Sequence, residues 1–131
     1  MQQIVFLDSD TLDAGITLHH PDFPHHWQSY PSTPPEQVVE RLKDASIAII
    51  NKVRIGAAEL ALLPELKLIA LAATGSDNVD LEACRAANVG VCNIRNYSGP
   101  SVPEHAMALM LALSRNLFCW RQSLLEGRWQ Q

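Results

Sequence analysis

Residues 46–80 read Ser46-Ile-Ala-Ile-Ile-Asn-Lys-Val-Arg-Ile-Gly-Ala-Ala-Glu-Leu-Ala-Leu-Leu-Pro-Glu-Leu-Lys-Leu-Ile-Ala-Leu-Ala-Ala-Thr-Gly-Ser-Asp-Asn-Val-Asp80. Two apolar runs, Ser46–Ile50 and Leu66–Ala73, flank a short helical pattern over Gly56–Leu63 that Pro64 stops. A run that is apolar at nearly every position is a strand covered on both faces, because a half-solvated strand alternates. Strand, helix, strand is the unit of a parallel sheet.

Working outward, Ile4–Leu7 is an earlier buried strand that ends at Asp8, and Val89–Asn93 is a later one. Trp27–Tyr30 reads as a short edge strand. Thr33-Pro34-Pro35-Glu36 opens a helix to about Asp44, with Thr33 as its cap and Val38, Val39 and Leu42 as its apolar face. Asp80 caps a helix through Ala87, and Asn88 suits a left-handed stop. The fold class predicted is α/β, a doubly wound parallel sheet. Such sheets bind ligands outside the carboxyl ends of their strands. Function is therefore expected in the loops after Leu7, Ile50, Ala73 and Asn93.

From Val102 to about Glu126 the pattern is helical throughout, with Ala106, Leu109, Met110, Leu113, Leu117, Trp120 and Leu124 on one stripe. A continuous helix of that span is about 37 Å long. Part of it is expected to pack on something other than its own sheet. The chain thus reads as an α/β domain over 1–100 and a hinge with a long helix over 101–131.

Composition narrows the function classes. The 131 residues are 47% apolar and 18% charged, with a formal net charge of −4. Residues 1–50 carry seven acidic and two basic side chains. No basic stripe exists to hold a nucleic-acid backbone or an anionic lipid surface. The longest uninterrupted apolar run, Ala106–Leu113, falls far short of the roughly 20 residues of a membrane span. The start of the chain has no basic leader, so no signal peptide is expected. Cys84, Cys92 and Cys119 form no Cys-x-x-Cys pair. They read as structural thiols in a reducing cytoplasm.

Several residues invite chemistry. Gly75 lies between a buried strand and a capped helix, where the N–H groups of Thr74 and Gly75 can face an anion; a plain turn is the other reading. Lys52, after Asn51 at the end of another strand, can reach a carboxylate at the same edge or simply be solvated. Ser101 can cap the long helix, Pro103 and Glu104 suit its first turn, and His105 reads as structural. His19, His20, Asp22, His25 and His26 lie in a Pro-interrupted loop without the register of a tetrahedral site, so no metal is expected. Asp8, Asp10 and Asp13 suggest the acidic pocket of a response-regulator receiver, but Asn51 stands where that pocket needs an aspartate. No Gly-x-Gly-x-x-Gly and no Gly-x-x-x-x-Gly-Lys occurs, so nothing here cradles a pyrophosphate in the usual way.

Asn51-Lys52-Val53, Leu66-Lys67-Leu68-Ile69, Thr74–Asp80, Gly90-Val91-Cys92-Asn93, Tyr97-Ser98, Val102-Pro103-Glu104-His105 and Leu111–Asn116 recur in one order. Together they resemble the D-isomer-specific 2-hydroxyacid dehydrogenases, nearest to their glycerate dehydrogenase / hydroxypyruvate reductase branch. Residues 1–50 fit the family's flavodoxin-like lobe loosely. Pro103 departs from the family's usual Ala.

The resemblance implies a substrate-binding lobe joined to a separate NAD domain, and a hydride transfer between NAD or NADP and a small 2-oxo or 2-hydroxy acid such as hydroxypyruvate, glyoxylate or glycerate. It implies that Thr74 and Gly75, with Ala73 adjacent, bind the substrate carboxylate through backbone N–H groups. Asn51 and Lys52 would line the same pocket, and Ser101 and Val102 would approach the nicotinamide. In the family, a Gly-basic-Trp triplet like Gly127-Arg128-Trp129 leads into the NAD fingerprint and then the catalytic Arg, Glu and His. No catalytic residue is assigned within these 131, and they are expected to be inactive alone. A homodimer through the long helix is expected. A non-catalytic module that binds a small carboxylate or dimerises is the alternative.

Overall fold

The structure is a computed structural model that describes residues 1–128. The Gly127-Arg128-Trp129 match therefore lies partly outside the described residues. The chain divides after Arg95 into two compact units, Met1–Arg95 and Asn96–Gln131.

The first unit is built on five strands: β1 (Gln2–Phe6), β2 (His25–Ser29), β3 (Ile47–Ile50), β4 (Leu68–Leu71) and β5 (Gly90–Cys92). All pair in parallel, in the order β2-β1-β3-β4-β5. The chain moves one way from β1 to β2 and the other way through β3, β4 and β5. Right-handed crossovers then put the β1–β2 connection on one face and the later connections on the other, which is the doubly wound arrangement.

Those later connections carry α1 (Val38–Leu42), α2 (Ala57–Leu60) and α3 (Leu81–Ala86). Val38, Leu42, Leu60 and Cys84 from these helices pack with Val5, Leu7, Ala48, Ile50, Ile69 and Leu71 in one core. The strand residues are every second one, as the pleat requires. On the opposite face Ile4 and Phe6 are buried, while Ile47, Ile49, Leu68 and Ala70 are half-buried. The edge strand β2 begins two residues before Trp27, because Gln2 and Gln3 pair with His25 and His26.

Two capping expectations part ways. Asp80 caps α3, accepting from the Ala83 N–H at 2.9 Å, and Asn88 adopts φ 58° just beyond it. Thr33 does not cap α1: its hydroxyl donates to the Leu7 carbonyl at 2.5 Å and accepts from Arg41 at 2.6 Å. Pro34 and Pro35 follow it and offer no N–H to a capping oxygen. A 3₁₀ turn, Pro35–Gln37, intervenes, and the helix starts at Val38.

In the second unit the expected single helix is two. α4 spans Ser101–Ser114 and α5 spans Leu117–Leu125. Between them Asn116 takes φ 53° and ψ 38°, a left-handed conformation that asparagine adopts more readily than most residues. The Ser114 hydroxyl donates to the Leu111 carbonyl at 3.1 Å, which competes with the backbone ladder just before the break. The apolar spacing continues across the break, so periodicity alone could not show it. Ser101 is the first residue of α4 and forms no side-chain cap. Among the described residues, no helix is long and apolar enough to cross a membrane.

Candidate functional site

The carboxyl ends of β1, β3, β4 and β5 lie along one edge of the sheet, and each hands the chain to a loop held differently. Asp8 follows β1 and is 3% exposed. Its carboxylate accepts the N–H groups of Asn51 (2.9 and 3.1 Å), Lys52 (2.5 Å) and Val53 (3.1 Å). One buried charge is thus matched by three backbone donors, which is what a buried carboxylate needs in place of water.

The carbonyls of the same loop are taken from the other side. The Asn78 amide donates to Val53 O at 2.8 Å and to Asn51 O at 3.4 Å. Ile55 pairs with Val79 in a parallel bridge, with the Ile55 N–H on Asn78 O at 3.0 Å and the Asp80 N–H on Ile55 O at 3.1 Å. The β3 loop is therefore fixed from both sides. Asn51 is half-buried and the Lys52 side chain is exposed.

The loop after β4 is adjacent. The Ala72 N–H donates to Ile50 O at 2.8 Å, and the Ala73 and Thr74 carbonyls accept from the Ile94 N–H (3.1 Å) and the Asn93 amide (2.7 Å). The N–H groups of Ala73, Thr74 and Gly75 take no partner among the described residues. Thr74 and Gly75 are exposed. Neither has positive φ, so the loop is not an alternating left-handed nest and Gly75 is not there for a left-handed turn. A Cβ at Gly75 would come 3.0 Å from Asp77 Oδ1, the end of an exposed side chain.

The sheet thus brings Asn51, Lys52, Ala73, Thr74 and Gly75 onto one edge. Ser101 and Val102 belong to the second unit, both exposed in the first turn of α4. Sequence reasoning missed Asp8 and Asn78 as the residues that hold this edge. A polar residue directly ending a fully apolar strand was the available signal for Asp8.

Elsewhere, His20 Nδ1 lies 3.3 Å from His25 Nε2, and the His20 ring stacks on Trp27 at 4.3 Å. Among the described residues, no three His, Cys, Asp or Glu side chains converge as metal ligands. Burial pushes the Cys84 thiol up from its ordinary pKa, and the nearby Asp80 charge adds to this.

The family model for the D-isomer specific 2-hydroxyacid dehydrogenase catalytic domain matches residues 6–125. The chain belongs to this family. It is 48% identical over 131 residues to a glycerate dehydrogenase of Methylorubrum extorquens, covering 99% of this chain and 41% of that protein. The chain thus spans about two fifths of that relative's length. An acyclic imino acid reductase solved with NADPH and D-Arg superposes with a TM-score of 0.73 at 20% identity, over 96% of this chain and 41% of the other. The NAD-dependent formate dehydrogenase of Staphylococcus aureus, solved with NAD, gives 0.69 at 22% identity, over 97% and 41%. These two likenesses show the α/β fold.

Proposed function

We propose that this chain is the substrate-binding lobe of an enzyme that moves a hydride between NAD(P)H and a small 2-oxo acid, of the hydroxypyruvate, glyoxylate or glycerate kind. The observation that carries this is the pair of unpartnered N–H groups at Thr74 and Gly75, beside a β3 loop whose N–H groups at Asn51, Lys52 and Val53 are taken by Asp8. A carboxylate seated on Thr74 and Gly75 would gain two donors that folding has left free. The Lys52 ammonium adds a compact positive charge at the same edge, and Asn51 a neutral wall.

The dinucleotide would supply the hydride. Of this chain, Ser101 and Val102 are assigned to it: the Ser101 hydroxyl makes no cap bond and is free to donate. No Gly-x-Gly-x-x-Gly lies within the 131 residues. Pyrophosphate binding and the acid–base and carbonyl-polarising steps are therefore assigned to residues outside them, and residues 1–131 alone are expected to be inactive.

Leu109, Met110 and Leu113 on α4 and Leu117, Trp120 and Leu124 on α5 are all exposed. We assign this surface to a homodimer contact. Three free thiols, two of them exposed, fit a reducing cytoplasm.

The test is NADH and NADPH oxidation with hydroxypyruvate and glyoxylate by the protein carrying this chain, with sedimentation alongside. Turnover that requires a 2-oxo acid, in a dimer, supports the assignment. Carboxylate binding without turnover would move the protein to a non-catalytic module.

A further inference from the structure

A cavity opens at a different point of the same sheet edge. In this strand order the chain reverses direction between β1 and β3, and the crevice at such a reversal is where open α/β sheets take ligands. A cavity of 430 Å³ lies there, lined by segments that follow β1, β2 and β3. That volume is within the roughly 300–1,000 Å³ of small-molecule sites.

Its walls are Thr33, Pro35, Val38 and Val53, and its charged lining is Lys52, Arg54 and Asp8. The three charges differ in their commitments. Asp8 is spent on the N–H groups of residues 51–53. Lys52 and Arg54 make no ion pair among the described residues. The three lining charges sum to +1, and with Pro35, Val38 and Val53 in the walls that balance suits a singly charged anion with an apolar body. Of the three lining hydroxyls, Thr11 and Thr33 already donate to the Asp8 and Leu7 carbonyls, so beyond Ser32 the walls offer a dianion such as phosphate little.

We propose that this cavity is a second anion site, distinct from the Thr74–Gly75 loop, that binds a small monocarboxylate with an apolar body. The carboxylate lies against Lys52 and Arg54, and the apolar part lies between Val38, Pro35 and Val53. Lys52 stands at both sites, so occupancy here competes for the charge that the substrate edge uses. The site does not depend on the assignment of Thr74 and Gly75, whose amides report separately.

The test is an amide chemical-shift titration of the full protein with benzoate, with benzamide as the neutral control. Saturable shifts at Thr33, Val38, Val53 and Arg54 are expected. Benzamide should bind at least about tenfold more weakly, and Arg54→Gln should weaken benzoate by about tenfold, with Arg54→Lys recovering most of it. Arg54 is exposed, so these variants should keep the unchanged spectrum of the rest of the fold. Benzoate shifts confined to Ala73–Gly75, benzamide binding as tightly as benzoate, or no effect of Arg54→Gln would each overturn the proposal.

Discussion

The loops after β3 and β4 are neighbours in space and opposites in their hydrogen bonding. In the first, the N–H groups of Asn51, Lys52 and Val53 all reach the Asp8 carboxylate, and the Asn51 and Val53 carbonyls reach the Asn78 amide. In the second, the carbonyls of Ala73 and Thr74 are bonded and the N–H groups of Ala73, Thr74 and Gly75 are not. Folding uses the donors of residues 51–53 internally and leaves those of residues 73–75 open. A backbone that is fully bonded internally serves as scaffold, while open donors on a fixed backbone cost nothing further to present to an anion.

The sharpest way to break this contrast is at Asp8. Asp8→Ala leaves three donors without their acceptor in a closed setting, and should lower unfolding stability by about 3–5 kcal/mol. Urea unfolding measures it. A loss under about 1 kcal/mol would mean that water replaces the carboxylate easily and the loop is not clamped.

Asn78→Ala acts on the carbonyl side of the same loop. Asn78 is half-buried, and carbonyls tolerate solvent better than a buried charge does, so a loss of about 1–2 kcal/mol is expected. Thermal unfolding of the two variants side by side should rank Asp8 above Asn78. The reverse order would place the main restraint on the β4 side.

Gly75→Ala sharpens the contrast from the open loop. The new methyl meets the exposed Asp77 carboxylate, which can swing away, so stability should change by less than about 0.5 kcal/mol. The affinity for a carboxylate should fall by a few-fold, because the methyl and the displaced Asp77 crowd the approach to the free donors. Equal affinity in isothermal titration would put the anion somewhere other than beside Gly75.

The two halves of this edge were unequally legible in the sequence. The apolar runs Ser46–Ile50 and Leu66–Ala73 declared the parallel strands Ile47–Ile50 and Leu68–Leu71, buried on one face and half-buried on the other, and those fix where their loops emerge. Asp80 and Asn88 declared the ends of α3 through local chemistry. What escaped was long-range pairing. Asp8 and Asn51 lie 43 residues apart, and nothing in either segment signals that one carboxylate gathers three N–H groups. Thr33 misled for the same reason: its hydroxyl is used by Leu7, 26 residues away, in place of the helix it precedes. The break at Asn116 was hidden because the leucine spacing on either side keeps helical phase. The resemblance followed short local motifs, which is why it pointed to Thr74 and Gly75 and did not show the Asp8 and Asn78 bonds that hold the neighbouring loop.

The most direct test is an amide chemical-shift titration of the protein with oxamate, a stable 2-oxo acid mimic, in the presence of NAD(P)H. The N–H resonances of Thr74 and Gly75 should move saturably downfield as they gain an acceptor, while those of Lys52 and Val53, already held by Asp8, stay in place. Shifts at Lys52 and Val53 with Thr74 and Gly75 unmoved would contradict the account.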